Sequence, residues 1–189
     1  MADQDRLVER ILAGDDGAFR QLIVQNQRLV SHIVFRLVPA ESDREDICQE
    51  VFVRVYQHLE TFRFDAKLST WIARIAYNTC LNFLEKRKLP LYDDLVDEDR
   101  PLDPAAPDEI SRPDYALEAA ETGRVVHRAV ERLPPVYKAI VTLFHLEQMS
   151  YSEIADIMDM PEGTVKSYLF RARKMLKDKL LAQYQREEL

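Results

Sequence analysis

SYSEIADIMDMPEGTVKSYLFRARKML, residues 150–176, is the stretch whose reading decides the fold. Ser150 stands at an N-cap position and Glu153 follows three residues later. That is capping-box spacing, in which the two side chains satisfy backbone N–H groups that a helix start leaves open. Ile154, Ala155 and Ile157 give the short helix one apolar side as far as Met158. The run Asp159-Met160-Pro161-Glu162-Gly163 reads as a turn, and Asp tolerates a left-handed backbone better than most residues. From Thr164 to about Lys179 a second helix follows, with Val165, Leu169, Ala172 and Leu176 recurring at three and four residues on the core side. Ala155 and the inward Val165 sit ten apart, as packing the two helices against each other requires. Two helices joined by a short turn in this way make a helix-turn-helix, whose second helix enters a DNA major groove.

The outward side of that second helix carries Lys166, Ser167, Phe170, Arg171 and Lys174. Between Thr164 and Lys179 there are six bases, including Arg173, and one acid, Asp178. The chain as a whole has a formal net charge of -7, with 26 Lys+Arg against 33 Asp+Glu. A basic helix in an acidic chain is a nucleic-acid footprint; the plainer reading is a solvated basic helix end. The acidity sits elsewhere. From Leu89 to Asp114 nine acids face only Arg100 and Arg112, a local charge of -7, so the rest of the chain is neutral. Five of the nine prolines (Pro90, Pro101, Pro104, Pro107, Pro113) lie in the same segment. Proline breaks helices, and clustered like charges extend a chain. Residues 89–114 therefore read as an acidic linker between two helical domains, 1–88 and 115–189, the alternative being an acidic surface loop.

The first half is helical throughout. Leu7, Val8, Ile11 and Leu12 form one stripe; Gly14-Asp15-Asp16-Gly17 is a capping stretch, and apolar positions then recur from Phe19 to Val38 before Pro39. Ser42 and Glu45 predict a capping box for a helix repeating Ile47, Val51, Val55 and Leu59 every four residues. Ser69-Thr70 is an N-cap candidate for a helix that buries Ile72, Ile75, Ala76, Thr79 and Phe83 and ends at Lys86-Arg87-Lys88. In the second half Val125, Val126, Ala129, Val130 and Leu133 form a stripe stopped by Pro134-Pro135, and Val136–Leu146 is a further apolar helix. No segment sustains the alternation of a strand, so the expected fold is all-α.

Composition excludes several classes. With 189 residues and 47% apolar content a packed core is expected, and four glycines leave no room for Gly-rich phosphate loops. There is no run of 18 apolar residues, and the acidic start, Met1 to Asp5, has no signal-peptide pattern, so a cytoplasmic protein without membrane insertion is expected. Cys48 and Cys80 make no disulfide framework, and their helical positions favour packing over a redox role. His32, His58, His127 and His145 are scattered, with no paired metal motif. Neither a catalytic constellation nor a metal or cofactor site is visible, and an enzyme is not expected.

One further stripe has chemistry. Arg74, Asn78 and Asn82 recur every four residues, and Asn is a modest helix former. Asn side chains read base edges, and Trp71, Tyr77 and Phe64 nearby are suited to stacking on unpaired bases. Equally, the aromatics belong to the core and the Asn pair is simply solvated.

Three runs together, Asp46–Phe52 (DICQEVF), Ser69–Asn78 (STWIARIAYN) and Gly163–Ser167 (GTVKS) followed by Phe170–Arg173 (FRAR), resemble the extracytoplasmic-function (ECF) sigma factors of bacteria, in the same order and flanking an acidic linker. The resemblance covers most of the chain, the linker and the ends matching only in character. It implies binding to core RNA polymerase, at the clamp coiled coil and the flap, and to promoter DNA as duplex and as melted single strand. By motif position Asp46, Gln49, Glu50 and Phe52 would lie on the polymerase-binding helix. Phe64, Asp65, Ala66, Lys67 and Leu68, with Trp71, Arg74, Asn78 and Asn82, would meet the minus-ten strand. Lys166, Ser167, Phe170 and Arg171 would face minus-thirty-five bases, with Arg173 and Lys174 nearer phosphates. The linker would thread a basic channel of the polymerase, and an anti-sigma factor is an implied partner. Tyr168 stands where the family often has Arg, and Asp159 where it often has Gly. The rivals are a stand-alone helix-turn-helix regulator, which leaves the first two motifs unexplained, and a sigma mimic that only captures an anti-sigma protein. Such a mimic has no need of six bases on the second helix.

Overall fold

The computed structural model describes residues 2–87 and 125–187, with side chains from Gln4 to Arg87 and from Val125 to Leu181. The acidic linker expected over 89–114, and the residues to 124, lie outside the described part. All regular structure among the described residues is helical. The first group comprises α1 (Ala2–Leu12), α2 (Asp16–Leu37), α3 (Glu41–His58), a 3-10 turn (Leu59–Thr61) and α4 (Leu68–Lys86). The second comprises α5 (residues 125–131), α6 (Pro135–Val141) running into a π turn (Thr142–Leu146), α7 (Tyr151–Met158) and α8 (Glu162–Glu187).

Helix starts follow local chemistry, with two corrections to the sequence reading. Asp15 caps α2 by accepting from the Ala18 N–H at 3.0 Å, as the capping stretch suggested. The box expected at Ser42 does not form: α3 begins at Glu41 after an N-cap Ala40 that makes no side-chain bond. Arg44 closes this turn instead, donating to the carbonyls of Val38 and Pro39 at 3.0 and 3.3 Å. Nor do Ser69 and Thr70 cap α4. The helix starts at Leu68, whose buried side chain draws the first turn into the core, and Lys67 is the N-cap residue without a side-chain cap. The stripe on α5 is also narrower than expected, because Val126 is exposed.

The core is continuous through both groups. Leu22, Val30, Leu59, Leu68 and Ile72 from the first half, and Ile140, Leu143, Ile154, Ile157 and Leu169 from the second, are fully buried in one cluster. The central α2 packs on α1, α3, α4 and α6, while α4 packs on α2, α3 and α7. Polar contacts cross the same seam: ion pairs of Arg36 with Glu131 and of Lys67 with Glu153, and a hydrogen bond between His32 and Glu147. The helix-turn-helix therefore rests on α4, the helix that carries the Arg74–Asn78–Asn82 stripe.

Candidate nucleic-acid interface

The helix-turn-helix is built as its residues dictate. Glu153 Oε2 accepts from the Ser150 N–H at 2.9 Å, and Ser150 Oγ accepts from the Glu153 N–H at 3.2 Å, completing the capping box. Asp159 ends α7 in the left-handed region (φ 54°, ψ 51°), its N–H still bonded to the Ala155 carbonyl as the last of the helical ladder. The Met160 N–H donates to the same oxygen at 3.1 Å. Val165, Leu169 and Ala172 are buried, and Leu176 packs against the core. That sets the phase of α8.

Its outward face follows from that phase. Phe170 is 44% exposed, and Lys166 and Lys174 are exposed, while Arg171 and Arg173 are half-buried along their stems. Both guanidinium groups rest on rings, Arg171 5.9 Å from the centroid of Tyr168 and Arg173 5.4 Å from that of Phe144. Such stacking holds a cation in place while leaving its edge able to bond. Lys166 lies 3.9 Å from Glu162 and 5.4 Å from the Tyr151 ring centroid. Ser167 Oγ donates back to the Gly163 carbonyl at 2.9 Å, so its proton is engaged within the helix and its lone pairs face outward as acceptors.

The second face lies on α4 and the loop before it. Phe64, Asp65, Ala66 and Lys67 are all exposed, and Phe64 adopts a positive φ of 59°. Only Leu68 of this loop run is buried, which removes it from direct contact with a ligand. Arg74, Asn78 and Asn82 are all exposed on one side of the helix. Trp71 is half-buried, its ring 5.5 Å from Phe62, and Phe62 packs edge-on against Phe64 at 4.7 Å. Tyr77 departs from the expectation: at 3% exposure it is a core residue and presents no ring for stacking. A cleft of about 310 Å³ opens here, lined among others by Arg63, Trp71, Arg74 and, from α7, Asp156. Arg63 and Asp156 line this cleft without belonging to any of the three sequence motifs, and Thr70 lines it from within Ser69–Asn78. Glu153, Asp156 and Asp159 do recur every three residues in the sequence, and that spacing was the available signal.

The third face is on α3. Asp46 and Gln49 are exposed; Glu50 is half-exposed and pairs with Arg54 at 2.6 Å. Phe52 packs partly against the core, and Val53 and Tyr56 beside it are exposed. Cys48 lies on this helix, half-buried, and Cys80 is buried on α4. Burial raises the Cys48 thiol above its ordinary range, and raises that of the fully buried Cys80 far more. Among the described residues no group of His, Cys, Asp or Glu is arranged to hold a metal ion, and no helix is long and apolar enough to cross a membrane.

Both halves of the chain are similar to known proteins. Residues 22–89 match the family described as Sigma-70 region 2, and residues 123–176 match Sigma-70, region 4. The chain is 40% identical over 177 residues to the ECF RNA polymerase sigma-E factor of Escherichia coli K12, covering 92% of each chain. Against the protein of the same description in Haemophilus influenzae it is 37% identical over 186 residues, covering 95% of this chain and 98% of the relative. Among solved structures the fold is similar to CnrH in its complex with the cytosolic domain of CnrY, with a TM-score of 0.65 at 20% identity over 93% of this chain and 96% of that one. It is similar too to the sigma factor RpoE of Bartonella quintana in complex with the anti-sigma factor NepR, with a TM-score of 0.63 at 20% identity over 86% and 96%.

Proposed function

The chain belongs to the ECF RNA polymerase sigma factors, and from that premise we propose how its residues divide the work of directing core polymerase to a promoter. Residues 1–88 form the unit that docks on polymerase and holds the minus-ten strand, 115–189 the unit that reads the minus-thirty-five element, and 89–114 the linker between them. Asp46, Gln49, Glu50 and Phe52 meet the polymerase clamp. The loop from Phe64 to Lys67, with Trp71, Arg74, Asn78 and Asn82, meets the melted strand: cations for phosphate, rings for stacking, amides for base edges. Leu68 supports that loop from the core. Lys166, Ser167, Phe170 and Arg171 face bases in the major groove, while Arg173 and Lys174 approach phosphates.

The observation that supports this reading is the pairing, in one chain, of an exposed Arg74–Asn78–Asn82 stripe with an outward basic face on the second helix of a helix-turn-helix. A stand-alone regulator has no use for the first. The protein catalyses no reaction of its own and works in the cytoplasm, where polymerase and chromosome are. An anti-sigma factor is its expected inhibitor, since the Bartonella quintana sigma factor of similar fold was solved with one.

Transcription from a genomic fragment library with core polymerase, with and without this chain, tests the reading. Defined new start sites should appear only when both are present. The isolated chain should bind duplex DNA weakly, because its net charge of -7 opposes phosphate binding. Tight sequence-specific footprints from the chain alone, with no new start sites, would instead establish a conventional regulator.

A further inference from the structure

Two of the cations on α8 are seated on rings that are themselves stacked together. Phe144 of the π turn and Tyr151, the first residue of α7, lie face to face, with centroids 5.1 Å apart and planes 22° from parallel. Arg173 rests on the Phe144 ring and Lys166 on the Tyr151 ring, each 5.4 Å from the centroid. The contacts thus run Lys166, Tyr151, Phe144, Arg173, with a cation at each end of a stacked pair. Lys166 and Arg173 are seven residues apart, which is about two turns of helix. They therefore share one flank of α8, the flank toward α7, with a rise of about 10 Å between them. Arg171 lies on the opposite flank, on the separate ring of Tyr168. Phe144 and Tyr151 are both half-buried and pack against the core, so the platform is fixed to the body of the helix-turn-helix. Phe144 is braced further by the edge of the His145 ring at 5.0 Å.

We propose that the Phe144–Tyr151 stack is a positioning platform for the minus-thirty-five interface: it orders Arg173 and Lys166 in the free chain, on the flank where they meet duplex DNA, and acts through those two cations rather than through contacts of its own. The proposal deepens the assignment of α8 to the major groove and rests on it. The electron-rich face of a ring attracts a cation without using up its hydrogen-bond donors. A guanidinium laid flat keeps its edge for phosphate, and an ammonium keeps donors to spare. Long side chains lose much freedom when they are fixed on binding, and ordering them beforehand reduces that loss. Lys166 has one further neighbour, the exposed Glu162 one turn back at 3.9 Å. That contact is longer than a hydrogen bond and is screened by salt, so it constrains the ammonium less than the ring does.

Binding of labelled duplex promoter by the holoenzyme, at several salt concentrations, tests the platform. Phe144→Leu and Tyr151→Leu keep an apolar side chain and remove a ring face, while Phe144→Tyr and Tyr151→Phe keep the face. Circular dichroism confirms that each variant is folded. Each Leu variant should weaken binding by about two- to tenfold, the range expected for pre-ordering one long side chain. Its salt slope should stay unchanged, because the cations are still present to displace counterions. The two ring-keeping variants should bind as the natural chain does. In a chain already carrying Lys166→Ala and Arg173→Ala, Phe144→Leu should cost nothing further, since the groups through which the ring acts are gone. A role in packing alone would not depend on those cations, so an undiminished loss in that background overturns the proposal. So does an equal loss for Tyr151→Phe and Tyr151→Leu, which would mean that the hydroxyl makes a contact of its own. Unchanged binding by both Leu variants overturns it as well. If Lys166→Ala with Arg173→Ala leaves promoter binding intact, the assignment of α8 to duplex DNA has failed, and the platform falls with it.

Discussion

At the scale of single residues, the second helix of the helix-turn-helix separates into base-facing and backbone-facing cations. Arg171 lies one turn beyond Ser167 with its guanidinium laid on the Tyr168 ring, so its orientation is constrained before DNA arrives. A guanidinium fork suits the O6 and N7 of guanine. Lys174 is exposed and one turn further on, where it reaches phosphate as a point charge. In holoenzyme binding measured across single-base variants of the minus-thirty-five element, Arg171→Ala should cost about 1–3 kcal/mol and relax preference at one position. Lys174→Ala should weaken all variants alike and lower the salt slope by about one. The opposite pattern would mean that α8 is rotated from this assignment. Tyr168, which stands where the family often has Arg, is half-buried and takes part in this arrangement as the platform for Arg171, 5.5 Å from the Tyr137 ring.

At the scale of elements, the turn between α7 and α8 depends on one backbone conformation. Asp159 holds φ at 54°, and the bond from the Met160 N–H to the Ala155 carbonyl exists only while it does. Asp159→Gly should therefore leave stability unchanged or slightly raised, since Gly enters this region freely. Asp159→Val should lower it by about 1–3 kcal/mol, because a β-branched side chain is strained there. Urea unfolding of both variants checks this, and equal stability would show that the turn does not need the left-handed residue. The capping box at Ser150 was legible because both its members lie within four residues. The box expected at Ser42 does not form, because Arg44 bonds the carbonyl of Val38 and the helix already starts at Glu41.

At the scale of the molecule, the two groups of helices share a seam whose electrostatics respond to acid. Glu153 has its pKa depressed to about 2 from an ordinary 4.5. A depressed carboxyl contributes stability that is present above its unfolded value and lost as pH falls through its folded one. The stability difference between the natural chain and Glu153→Gln should therefore be constant from pH 7 to about 5 and shrink between 4.5 and 2. Urea titrations of both chains at stepped pH measure it. A difference independent of pH across that window would mean that the charge of Glu153 contributes nothing to the seam. Raising salt should reduce the same difference, because the Lys67 end of the pair is solvated.

Several features were determined by the sequence alone, because each depends on neighbours close along the chain. These are the all-helical fold, the helix-turn-helix with its capping box and left-handed turn, the phase of α8, and the exposed Arg74–Asn78–Asn82 stripe. Helical periodicity sorts such positions into inner and outer without reference to anything distant. Tyr77 shows where this ends. It lies on the same helix as Asn78 and has the chemistry of a stacking residue, yet it is buried, because the packing of α2, α3 and α7 around α4 leaves only part of that helix open. The pairing of Lys67 with Glu153 was beyond the sequence for the same reason. The two residues are 86 positions apart, and only the tertiary fold, by laying α7 on α4, brings an anion to a cation that each helix leaves unpaired on its own.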